Sequence, residues 1–137
     1  MSLDAYLFFP GTCEQAVRFY ERALGAEVES LMRMSDSPEP SPPDCPEMPA
    51  DSIMHASLRL GDRRLMASDG PPGDGAAFKG FSLSITAPDE AAARRMFNAL
   101  SEGGQVTMPL GKTFWTSCFG MLTDRFGVGW MVSVEHG

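Results

Sequence analysis

The sequence predicts an α+β protein in which two paired β-α-β-β-β modules form one curved eight-stranded sheet. Three observations predict it. Segments with apolar residues at every second position are interleaved with two segments whose apolar residues recur at helical spacing. The order strand, helix, strand, strand, strand occurs twice within 137 residues. The two helical segments also resemble each other in register, AVRFYERALGAEV against AARRMFNALSEGGQV, with Ala16, Arg18 and Leu24 answering Ala92, Arg94 and Leu100. Two such modules make one domain over residues 1–137, the first over 1–70 and the second over 77–137, with helices on the convex face and a cleft on the concave one.

In chain order, Leu3–Phe9 is a short apolar and aromatic strand that Pro10 and Gly11 end. Thr12 with Gln15 reads as a capping box, and Ala16, Val17, Tyr20, Ala23 and Leu24 give the helix its stripe before Gly25 closes it. Ala26–Met34 is a strand. Residues 35–52 hold six of the eleven prolines and read as an extended loop. In Ile53–Leu60, Met54, Ala56, Leu58 and Leu60 alternate with His55, Ser57 and Arg59, the period of a half-buried strand. Gly61-Asp62 turns the chain into the strand Arg63–Ser68, and Asp69–Ala76, rich in glycine and proline, links the modules.

Phe81, Leu83 and Ile85 alternate with Ser82, Ser84 and Thr86 in the first strand of the second module. Pro88, Asp89 and Glu90 suit the electropositive start of a helix, whose apolar stripe Ala92, Met96, Phe97 and Leu100 runs until Gly103 and Gly104. Gln105–Leu110, Phe114–Thr123 and Val128–Glu135 are three further strands, with the turn Asp124–Gly127 between the last two.

Composition narrows the function. Lys+Arg 11 against Asp+Glu 18 gives a net charge of −7, which repels phosphate backbones and anionic lipid, so neither nucleic acid nor a membrane is an expected partner. No apolar run is long enough to span a bilayer, and the start of the chain lacks signal-peptide character. Cys13, Cys45 and Cys118 form no CxxC pair and no even set, which points to a reducing cytoplasm, and no histidine close in sequence makes any of them a nucleophile.

Few residues carry chemistry. His55 shares a strand face with Ser57 and Arg59 and could serve as an acid, a base or a lone ligand; a solvent-facing strand histidine is the plainer alternative, and His136 sits at the terminus. Asp69 follows the strand that pairs with that of His55 and could orient the imidazole, or simply form a turn; Asp124 reads as bonding its own turn. Phe114 and Trp115, adjacent on a strand, face opposite ways, one to the core and one to the cleft. With Tyr6 or Phe8 the latter would build an aromatic wall, with core or dimer packing as the alternative. Met54, Met66, Met121 and Met131 lie on strands and fill core or line a binding surface. The acidic residues Asp36, Glu39, Asp44, Glu47 and Asp51 read as a solvated loop that could also cover the cleft.

The segments YLFFPGTCEQAVRFYERALGAEV, HASLRLGDRRLMASD and KTFWTSCFGMLTDRFGVGW together resemble the PhnB-like branch of the vicinal oxygen chelate superfamily, which includes glyoxalase I, bleomycin-resistance proteins and extradiol dioxygenases. The resemblance covers the chain apart from the proline-rich loop. It implies the glyoxalase/bleomycin-resistance fold and metal ligands on the first and last strands of each module. Those positions fall at Ala5 or Tyr6, Met66, Ser82 or Leu83, and Met131, none a usual ligand for a divalent ion. Some members of the branch are named for ubiquinone methylation, but no glycine-rich strand-turn-helix is present to cradle S-adenosylmethionine.

The expectation is a cytoplasmic homodimer that binds a small organic molecule through Tyr6, Phe8, His55, Phe114 and Trp115, with no metal or other cofactor. The first alternative is a metal-dependent lyase, isomerase or dioxygenase whose divalent ion uses His55 with Asp69. The second is a structural or regulatory dimer without a ligand.

Overall fold

The computed structural model describes residues 1–36, 49–70 and 78–134. Cys45, His136, the acidic residues Glu39, Asp44 and Glu47, and most of the proline-rich loop and of the linker lie outside the described residues. The chain divides into two compact units at residues 76/77, each with one helix and a four-stranded mixed sheet.

In the first unit β1 (Ala5–Phe9), α1 (Cys13–Leu24), β2 (Glu27–Arg33), β3 (Ile53–Leu60) and β4 (Arg63–Asp69) form a sheet ordered β1-β4-β3-β2. The hairpin β3–β4 and the pair β2–β3 are antiparallel, whereas β1 lies parallel to β4 with Tyr6 beside Met66 and Phe9 beside Asp69. Alternation then sorts the side chains. Leu7, Phe9, Ala56, Leu58 and Ala67 are buried on the face that receives α1, whose own buried stripe is Cys13, Ala16, Val17 and Tyr20. Burial of each large member contributes about 2 kcal/mol. Gly25 ends α1 at φ 69°, its N–H donating to the Glu21 carbonyl at 3.1 Å, a left-handed geometry that favours glycine. A bidentate pair from Arg33 to Glu14, 2.9 and 2.6 Å, ties the end of β2 to the first turn of α1.

The second unit repeats the plan: β5 (Leu83–Ala87), α2 (Glu90–Ser101), β6 (Gln105–Gly111), β7 (Phe119–Thr123) and β8 (Gly129–Val134), ordered β5-β8-β7-β6 with β5 parallel to β8. Ile85, Ala87, Leu122, Trp130 and Val132 are buried beneath the Ala93, Phe97 and Leu100 side of α2.

Three expectations need correction. Thr12 precedes α1 but its side chain makes no capping bond; the first helical N–H, that of Cys13, donates instead to Asp69 Oδ1 at 2.9 Å. Asp69 therefore ends β4 and does not begin a linker. The strand expected from Phe114 starts only at Phe119, because the hydroxyl-rich run Thr113–Ser117 bonds its own backbone: Thr113 N–H donates to the Thr116 carbonyl at 3.0 Å, and Thr116 N–H to Thr113 Oγ1 at 3.2 Å. No described helix is long and apolar enough to cross a membrane.

Candidate functional site

Parallel and antiparallel partners share a face of the sheet, so register alone places the first module's polar chemistry. Tyr6 stands beside Met66, Met66 beside Ser57, and Ser57 beside Ser30, forming one row on the face opposite α1. Phe8 beside Ser68 and His55 beside Met32 belong to the next row. The rows join through a hydrogen bond between Tyr6 Oη and His55 Nδ1 at 3.3 Å. The Tyr6 ring lies 4.9 Å from that of Phe8 and 5.8 Å from that of His55, both tilted by under 40°. Phe8 is 57% and Tyr6 37% exposed, so both offer ring surface. Tyr6, Phe8 and His55 are thus neighbours in the first module.

The bond to Tyr6 engages Nδ1 and leaves Nε2 as the second polar atom of the imidazole. When Tyr6 donates to Nδ1, Nε2 carries a proton and is a donor; in the other tautomer Nε2 offers a lone pair. Beside this pair, Ser57 Oγ is buried and makes no hydrogen bond with the described residues. A buried hydroxyl left without a partner costs about 1–3 kcal/mol, so it marks a position where a partner of other origin would be stabilised. Sequence reasoning passed over Ser57, placing it on the His55 face but with no sign that its hydroxyl would be both buried and unpartnered.

Asp69 does not join His55. It lies on the α1 side of β4, 8% exposed, and both its oxygens are occupied: Oδ1 by the Cys13 N–H and Oδ2 by the Ile53 N–H, each at 2.9 Å. Neither oxygen is placed to orient an imidazole or ligate an ion. Asp124 plays a similar part in the second module, accepting from Phe126 and Val128 N–H and from Trp130 Nε1 at 2.8 to 3.0 Å, which agrees with the structural reading of its turn.

Phe114 and Trp115 form an aromatic pair of their own at the tip of the Thr113–Thr116 turn. Their rings meet edge-on at 4.8 Å, and Trp115 reaches Phe119 at 5.4 Å. Phe114 is 97% and Trp115 47% exposed. The expectation that one of the two is a core residue fails, since a turn, unlike a strand, does not send neighbours to opposite faces.

The positions at which the family would place metal ligands can now be read from register. In the first module Tyr6 and Met66 share the face opposite α1, while Ala5 pairs with Leu65 on the other. In the second, the residue beside Met131 is Ser84, and Leu83 pairs with the buried Trp130, so neither Ser82 nor Leu83 takes that place. Each module thus supplies one hydroxyl and one thioether. This donor set does not fit a hard or borderline divalent ion, which takes carboxylate, imidazole or thiolate. Among the described residues no three His, Cys, Asp or Glu side chains gather as ligands. The described thiols are equally unsuited to nucleophilic work: burial and the nearby Asp69 charge push Cys13 up to about 12, and burial raises Cys118.

Comparison with known proteins agrees with this architecture. The model of the glyoxalase/bleomycin resistance protein/dioxygenase superfamily matches residues 2–132. Protein YjdN of Escherichia coli (strain K12) is 36% identical over 98% of this chain and 95% of its own. Protein PA1353 from Pseudomonas aeruginosa, of known crystal structure, is 46% identical with a TM-score of 0.87, covering 100% of this chain and 99% of that one. The PhnB protein from Bacillus cereus, which carries the provisional name 3-demethylubiquinone-9 3-methyltransferase, is 25% identical with a TM-score of 0.80 over 98% and 100% of the two chains.

Proposed function

The chain belongs to the glyoxalase/bleomycin resistance protein/dioxygenase superfamily, and from that premise we propose that it binds a small, partly aromatic organic molecule on the first module's Tyr6–His55 face, without the divalent ion used by the superfamily's enzymes. The observation that carries this reading is the coincidence on one sheet face of exposed rings, Tyr6 and Phe8, a hydrogen-bonded imidazole, His55, and a buried unpartnered hydroxyl, Ser57. Rings supply stacking area, while the Nε2 of His55 and the Oγ of Ser57 supply two directional contacts, the usual composition of a small-molecule site.

Binding is favoured over metal-dependent catalysis because Tyr6 with Met66, and Ser84 with Met131, are poor donors for such an ion, and because Asp69 is committed to backbone N–H groups. Methyl transfer is disfavoured too. The β1–α1 turn, Pro10-Gly11-Thr12, has a single glycine and the β5–α2 connection none, so neither provides a phosphate- or nucleoside-cradling loop. The protein works in this reading as a homodimer in a reducing cytoplasm, where its buried thiols stay reduced and where β2 and β6, terminal in their sheets, are edges that a second copy can cover.

A fluorescence-melting screen of phenols, aromatic amides and aromatic carboxylates tests the site. A ligand that binds only the folded chain raises the melting temperature in step with its concentration. The expected result is a set of compounds whose effect is lost in His55→Ala and Ser57→Val; Trp115→Ala reports whether the Phe114–Trp115 pair joins the site. Equal stabilisation of wild type, His55→Ala and Ser57→Val would overturn the reading.

A further inference from the structure

The second module's sheet carries a row of thioethers. Met108 on β6 stands opposite Met121 on β7, and Met121 opposite Met131 on β8. Directly opposed residues share a face, with Cβ atoms about 5 Å apart. The face is the one opposite α2: Gly120, Leu122, Trp130 and Val132, the sequence neighbours of Met121 and Met131, are the residues buried toward that helix. Met121 and Met131 are half-buried and Met108 is 42% exposed, so the row is not core filling within its own module.

Thioether sulfur is neutral, polarisable and soft, which makes it a poor ligand for calcium, magnesium or zinc and a good one for Cu(I). The unbranched side chain lets the outer two sulfurs lean over the central one, closing the spacing between strands to the separation that three donors around one ion require. The overall charge of −7 favours a cation further.

We propose that Met108, Met121 and Met131 form a site for one soft monovalent cation, Cu(I) or Ag(I), held by three thioether sulfurs. Met131 is shared with a position where the superfamily would place a divalent ligand, but the other donors, the coordination and the ion are different. The site uses no residue of the Tyr6–His55 face and stands or falls independently of the ligand proposed there. No donor in it titrates, so binding is the same in mildly acid and neutral solution, unlike binding to thiol or imidazole.

Silver nitrate is the probe, because Ag(I) is redox-stable, and the protein is the full chain labelled with 13C at its methionine methyls and carrying Cys45→Ser to remove a competing thiol. Of the ten methionine signals, those of Met108, Met121 and Met131 shift together and saturate at one equivalent. Zinc leaves them in place. Met121→Leu, which preserves volume, and Met108→Leu, at an exposed position, each weaken binding by at least the roughly tenfold that loss of even an outer-shell partner costs a metal site. Shifts confined to other methionines, or affinity unchanged in both variants, would overturn the assignment.

Discussion

Replacing Asp69 by alanine decides whether this carboxylate holds the first module together or serves a ligand. Its two oxygens accept the Cys13 and Ile53 N–H groups at 2.9 Å, and the first of these donors opens α1. A hydrogen bond to a charged acceptor is worth about 1.5–3 kcal/mol, and both donors would be left buried and unpaired. A negative charge at a helix N-terminus adds about 0.5–1 kcal/mol. The two bonds share one side chain and are not strictly additive, so the expected loss for Asp69→Ala is about 4 kcal/mol, a large part of the total stability of a domain this size. At about 3–5 °C per kcal/mol, the melting temperature falls by roughly 12–20 °C. Asp69→Asn keeps the shape and one acceptor but turns an amide N–H toward the other donor, and loses about half as much. Asp62→Ala, at a side chain 96% exposed, is the control and leaves the midpoint unchanged. Circular dichroism melts and urea titrations give the values. An Asp69→Ala protein melting within a few degrees of wild type would refute the reasoning, and ligand binding lost at full stability would return Asp69 to the site.

The Arg33 guanidinium holds the Glu14 carboxyl below its ordinary value of 4.5. A lowered folded-state value stabilises the fold above the ordinary value, and that stabilisation is lost as the pH falls through the lower one. Urea midpoints of wild type and Glu14→Gln are therefore expected to differ at neutral pH and to converge below pH 4.5; a difference that grows on acidification would contradict the pairing. With its thiol pushed up to about 12, buried Cys13 is expected to stay silent toward a disulfide reagent, as is buried Cys118. A Cys45→Ser protein that reacts before denaturant is added would show that one of them is accessible.

The fold was legible because its signals are local. Alternation in Ile53–Leu60 identified β3 and put His55 and Ser57 on one face, and helical spacing with Gly25 bounded α1. Contacts distant in sequence were not legible. Asp69 looks like a turn residue because its neighbours are Ser68 and Gly70, while its real partners lie 56 and 16 positions away. Ser57 gave no sign of being unpartnered, since satisfaction of a hydroxyl depends on all the strands around it. The Met108–Met121–Met131 row needed register, and the irregularity between Val106 and Met108 shifts that register by a residue that composition cannot reveal. Trp115 was misplaced because aromatic residues favour strands, and here the hydroxyls of Thr113 and Thr116 bond the backbone instead.

The two helices are capped in different ways. Asp89 caps α2 from the position immediately before it, accepting the Ala92 N–H at 2.7 Å, whereas the cap of α1 arrives from the end of β4. The second module's helix can therefore begin with its terminus already satisfied, at the entropic cost of a three-residue closure. The first module's helix stays incomplete until a far longer loop has closed, and each lengthening of that loop adds to the cost of closing it. Two modules of the same plan thus differ in what completes the helix terminus: in one a neighbouring side chain, and in the other the pairing of β4 with β1 and β3 that brings Asp69 to Cys13.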